Sequence, residues 1–91
     1  MDIIRIRSFV MVARLGHLTR AAERLCLTQP AVTAHIKAIE QELGITLFDR
    51  SPGRITLTRQ GELLLPEAEH VLATFEGFSS KARQIKGEVS G

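Results

Sequence analysis

Gln29, Pro30, Thr33, Ala34 and Lys37 are spaced so that a helix would gather them on one side. A carboxamide, a hydroxyl and one long cation make no catalytic set. Ser8 and Ser51 have no evident His and acid partners, and the chain carries no glycine-rich phosphate loop. What this group can do is hydrogen-bond to flat polar edges. Gln29 donates and accepts together, as adenine requires. Thr33 suits either kind of partner, or a thymine methyl. Lys37 suits a phosphate or a guanine. Pro30 and Ala34 are short and would let a helix backbone come close to base edges.

The surrounding residues say how that face is held. Thr28 is a good N-cap, which makes Gln29 the first helical residue and Pro30 the second. Proline is tolerated there because first-turn N–H groups have no partner within the helix. Val32, Ile36, Ile39 and Leu43 follow as one apolar stripe, and Gly44 ends the run. Opposite that stripe lie Pro30, Ala34, Lys37 and Gln41. Gln29 and Thr33 join them at the N-terminal end, where the free N–H groups and the helix dipole favour phosphate. His35 falls on the flank, nearer the buried side, and reads as a partly packed histidine.

Upstream, Ile3, Ile6, Phe9, Val10 and Ala13 form the apolar stripe of a helix over 3–15, stopped at Gly16. Thr19 is the expected cap of a short helix over 20–26, broken by Leu27 and Thr28. The second and third helices are then two or three residues apart, as in a helix-turn-helix. Two β-prone runs, 47–50 and 54–57, flank Ser51-Pro52-Gly53 and signal a hairpin with a three-residue loop. Arg50 and Arg54 stand at its shoulders. Thr58 is placed to cap a last, long helix. On it Leu64, Ala68, Val71, Phe75, Phe78, Ala82 and Ile85 alternate steps of four and three, a heptad-like seam suited to dimerisation. Pro66 inside this helix is expected to kink it. The fold class is therefore mainly α: a winged helix-turn-helix over 1–58 with a β-hairpin wing, and a dimerisation or linker helix over 59–91.

The chain has 91 residues, 44% of them hydrophobic, which fits one small globular domain. Its net charge of +2 conceals an asymmetry. Residues 1–59 hold nine Lys/Arg against five Asp/Glu, a balance of +4, whereas residues 60–91 hold three against five, a balance of −2. A basic head with an acidic tail fits a polyanion-binding part joined to a solvated one, though many proteins with no nucleic-acid role carry as much. No run of 18 apolar residues occurs and the N-terminus lacks a signal-peptide pattern, so a cytoplasmic protein with no membrane partner is expected. Cys26 stands alone between Leu25 and Leu27 and reads as a buried, inert thiol. His17, His35, His70 and Cys26 lack metal-ligand spacing, so neither metal nor cofactor is expected. Phe75 and Phe78 belong to the seam rather than to a base-stacking surface.

The blocks "LTRAAERL", "TQPAVTAHIKAIEQELG", "LFDR" and "LTRQG" are similar to signature stretches of LysR-type transcriptional regulators, and the similarity extends over essentially the whole chain. The resemblance implies a winged helix-turn-helix with its reading motif at about 18–37, acting as a dimer on double-stranded DNA to regulate transcription, and no enzyme. It also implies a much larger effector-binding domain beyond these residues, with higher oligomers possible there. Thr28, Gln29, Pro30, Thr33, Ala34 and Lys37 fall on the family's DNA-facing positions, and Arg50, Ser51 and Arg54 on its wing. Many members carry arginine at the position of Ala34. Alanine leaves only a methyl group, with His35 or Lys37 as the neighbours able to compensate. Two other readings remain open: a winged-helix repressor of another family with a differently packed dimer helix, and a protein-interaction module that does not bind DNA. Parallel and antiparallel pairing of the long helices are equally open.

Overall fold

In the computed structural model, which describes residues 1–51 and 54–90 (the last two by backbone alone), helix α1 spans Ile3–Leu15. Asp2 caps it by accepting the Arg5 amide N–H at 3.0 Å, and that bond holds its carboxyl below the ordinary aspartate value. Gly16 ends the helix at φ 65° and donates its N–H to the Val12 carbonyl. Only glycine adopts that left-handed conformation without strain.

Helix α2 spans Leu18–Leu25, two residues ahead of the expected start. The cap is His17, not Thr19. Its Nδ1 accepts the Arg20 N–H at 3.2 Å, so Thr19 is already helical. The helix closes at Cys26, which takes the left-handed conformation at φ 58°. For a residue with a side chain this costs about 1–2 kcal/mol. The conformation lets the Leu27 N–H reach back to the Ala22 carbonyl and turns the chain into α3, Gln29–Leu43. It also turns Cys26 outward, so the thiol is exposed rather than buried.

Strands β1 (Phe48–Ser51) and β2 (Arg54–Leu57) pair antiparallel, with Phe48 opposite Leu57 and Ser51 opposite Arg54. Ser51 thus belongs to the ladder and not to the loop. Pro52 and Gly53, at the expected turn, lie outside the described residues. Helix α4 runs from Arg59 to Ser90 and continues through Pro66. Its 32 residues make the molecule 56 Å long and only 25 by 19 Å across.

The core is where α1, α2, α3 and the hairpin base meet. Phe9, Val12, Ala21, Ala22, Val32, Ile36, Ile39, Leu47, Phe48 and Ile55 are buried together. Phe9 and Phe48 meet edge to face with ring centres 5.7 Å apart. Leu43, the last residue of the expected α3 stripe, is 44% exposed and lines an apolar surface groove with Ile6 and Phe9 of α1. Leu64 and Ala68 of α4 pack against this core, and an ion pair between Arg14 and Glu69 at 3.1 Å ties α1 to α4.

The start of α4 is wedged onto the hairpin base. The Leu47 carbonyl accepts the Thr58 N–H at 2.9 Å, and the Thr58 hydroxyl both donates to the Thr46 carbonyl and accepts the Gly61 N–H at 3.0 Å. A Cβ on Gly61 would overlap the Leu47 carbonyl oxygen. Backbone cannot yield there as a side chain would. Gly61→Ala is therefore expected to lower stability by about 1–3 kcal/mol. Gly77→Ala, with nothing within 4 Å of the added atom, should gain helix propensity instead. Urea midpoints of the two variants check this; an equal shift at both sites would dismiss the wedge.

Candidate nucleic-acid interface

Of the DNA-facing residues expected from the sequence, Gln29, Arg50, Ser51 and Arg54 line one cleft, and Lys37 lies outside it. Thr28 caps α3 as expected, accepting the Ala31 N–H at 3.2 Å. Gln29, Pro30, Ala34, Lys37 and Gln41 are exposed and Thr33 is half-buried, while Val32 and Ile36 on the far side are fully buried. The carboxamide of Gln29 donates to the Thr33 hydroxyl at 3.2 Å, so the two polar residues of the first turns are joined.

A cleft of about 340 Å³ opens between the start of α2 and the wing. It is lined by Gly16–Thr19, Gln29, Arg50, Ser51, Arg54 and Ile55. The start of the reading helix and both wing shoulders therefore share one concavity. Arg50 and Arg54 are exposed, and among the described residues neither forms an ion pair. Two guanidinium groups facing solvent beside a helix start suit a chain of phosphates. Lys37 lies elsewhere, beside a shallow depression it shares with Glu40, Gln41 and Gly44. It sits two turns along α3 from Gln29.

His35 is removed from this surface. Its Nδ1 is 2.8 Å from the hydroxyl of Ser8, which is fully buried on α1. The pair stitches the reading helix to α1. It gives the buried Ser8 hydroxyl a partner and draws the His35 ring toward α1.

Three further residues carry the site and had no sequence signal. The Glu40 carboxylate accepts the Leu47 N–H at 2.7 Å and fastens the end of α3 to the hairpin. His17 caps α2 where the residue-type preference pointed to Thr19. Gly61 admits α4 onto the hairpin base. Each depends on a partner brought near only by folding, except His17, where a less common capping side chain won.

On α4 the predicted seam divides. Leu64 and Ala68 face the core, whereas Val71, Phe75, Phe78, Ala82 and Ile85 are exposed, Phe78 by 77%. The buried residue of this stretch is Leu72, one position off the seam. Among the described residues no group of His, Cys, Asp or Glu is placed to hold a metal, and no helix is long and apolar enough to cross a membrane.

A three-helix head with two helices joined by a tight turn, a hairpin shoulder and an exposed polar helix face define a winged helix-turn-helix protein. Residues 3–62 match the family model described as bacterial regulatory helix-turn-helix protein, lysR family, so the chain belongs to the LysR family and forms its DNA-binding domain. A helix-turn-helix transcriptional regulator of Azotobacter vinelandii is 42% identical over 91 residues, all of this chain and 63% of that protein. Full-length OxyR from Pseudomonas aeruginosa superimposes with a TM-score of 0.89 at 34% identity, over 92% of this chain and 28% of that one. The CbnR DNA-binding domain, solved in complex with DNA, gives a TM-score of 0.86 at 32% identity, over 93% of this chain and 98% of that one. The chain thus spans less than two thirds of the longer relatives it matches.

The Ser8–His35 bond separates scaffold from reading surface. Ser8→Ala should lower stability by about 1 kcal/mol, because His35 loses its partner. Base preference should be unchanged. Denaturation together with duplex selection measures both, and an altered preference would return His35 to the groove.

Proposed function

We propose that this domain binds double-stranded DNA at specific sequences as a homodimer and so regulates transcription. One observation carries the proposal: α3 is buried along Val32, Ile36 and Ile39 and presents Gln29, Pro30, Ala34 and Lys37 on its opposite face, beside the Arg50 and Arg54 shoulders. A major groove about 12 Å wide admits such a helix. Thr28, Gln29, Pro30, Thr33, Ala34 and Lys37 are the groove-facing residues. Arg50, Ser51 and Arg54 meet the flanking backbone or minor groove. The solved complex of the similar CbnR domain with DNA supports DNA binding by this fold.

The dimer forms along α4. Its seam is nearly a palindrome. Antiparallel pairing sets Phe78 over Val71, Ala82 over Ala68 and Ile85 over Leu64, with Phe75 against its own copy. Charge agrees: residues 60–74 hold three Glu and no Lys or Arg, while 75–88 hold three Lys/Arg and two Glu. Opposed helices place unlike halves together. An apolar groove of about 130 Å³ beside the lower seam, lined by Ile6, Leu43, Leu64, Ala68 and Val71 among others, accepts the partner's apolar side chains. Two heads related by a two-fold axis read an inverted repeat.

The proposed function includes no catalytic step; among the described residues no exposed nucleophile is hydrogen-bonded to a base. The location is cytoplasmic, where the DNA is. Any effector ligand belongs to a further domain of the kind the longer relatives have room for.

Selection of bound duplexes from a random pool tests the function directly. Enrichment of an inverted repeat is expected; recovery of unrelated sequences would refute specific recognition. Arg50→Ala or Arg54→Ala should weaken binding to every sequence and flatten the salt dependence by about 0.9 in log–log slope per lost phosphate contact. An unchanged slope would take the wing off the DNA. Phe75→Glu should give monomers in sedimentation that bind the repeat poorly; a persistent dimer would move the interface off the seam.

A further inference from the structure

Both Gln29 and Thr33 have the chemistry to read bases, but the structure joins them. The Gln29 Nε2 donates to the Thr33 hydroxyl one turn along α3 at 3.2 Å. We infer that Thr33 is a positioning residue, which fixes the carboxamide of Gln29 so that it selects adenine over guanine. The inference rests on the proposed reading of DNA by α3 and names the base that this position takes.

A glutamine side chain has two N–H bonds and one carbonyl oxygen. With one N–H committed to Thr33, what remains is one acceptor and one donor. Adenine presents the complement in the major groove, the N6 amino donor and the N7 acceptor. Guanine presents two acceptors, N7 and O6, and asks for two donors. With the carboxamide donating to Thr33, its second donor is withheld from guanine. This hydrogen bond also lowers the entropy lost on binding, since one long side chain is already ordered.

Three features of the surroundings leave this pair in charge of its base step. Ala34, the next residue on the exposed face, has no polar atom with which to correct or override the choice. His35 is turned away and held by Ser8 at 2.8 Å. Lys37 and Gln41, the other long donors on the exposed face of α3, lie two turns or more from Gln29. Thr33 thus acts on base choice through Gln29.

Duplex selection with the full chain and three variants tests this. The wild type should enrich adenine at one position of each half-site, and Gln29→Ala should erase that preference. Thr33→Val keeps the shape and removes the hydroxyl. It should lower the adenine-to-guanine ratio at that same position by about tenfold, the scale of one bidentate base contact. Thr33→Ser restores the hydroxyl and should restore the ratio. Unchanged melting temperatures confirm that the helix is intact. If Thr33→Val keeps the wild-type ratio while Gln29→Ala loses it, the positioning role of Thr33 is overturned and base reading by Gln29 stands. If Gln29→Ala selects the same sites as wild type, both fall.

Discussion

One helix has to be buried on one side and bare on the other. Helix α3 commits Val32, Ile36 and Ile39 to the core, each worth about 1.5–3 kcal/mol when fully covered. That leaves the opposite face free of any structural duty. The remaining elements follow from the arrangement. Helix α1 supplies the apolar wall, and its Ser8 takes up the flank histidine. Helix α2 approaches closely because Ala21 and Ala22 are small and fully packed. A helix that also had to bury its outer face could not present short polar residues to a ligand.

The second constraint is at the hairpin base. There the chain reverses, pairs two four-residue strands and launches a 32-residue helix within a few ångströms. The Leu47 carbonyl, the Thr58 hydroxyl and the bare Cα of Gly61 share that space. The exposed face of α3 and the start of α4 are thereby held in one orientation. In the proposed dimer, the distance between the two heads is then a property of the fold rather than of a flexible linker.

Much of this was legible in the sequence because it depends on local chemistry. The Thr28 cap, Pro30 in the first turn, Gly16 and Gly44 at helix ends, and the stripe on α3 all announce themselves by residue type and spacing. The misses have physical reasons. Cys26 takes a conformation usually given to glycine, and that turns its thiol outward despite two leucine neighbours. Thr19 lost the capping position to His17, whose ring nitrogen also accepts a hydrogen bond. Ser51 entered the ladder because Arg54 lies opposite it. Leu43 continues the α3 stripe in sequence but opens onto a surface groove beside α1. Glu40 and Gly61 act on residues seven and fourteen positions away, where no periodicity points.

The bond from the Glu40 carboxylate to the Leu47 N–H has a consequence for binding as a whole. In the proposed DNA complex, it makes α3 and the wing two teeth of one chelating ligand. Once the helix has seated, the wing meets its phosphates at a high effective concentration and surrenders little extra freedom in doing so. The reverse also holds. A duplex too narrow or too bent for the wing denies the helix its full seat, so the domain senses groove geometry through a contact that touches no base.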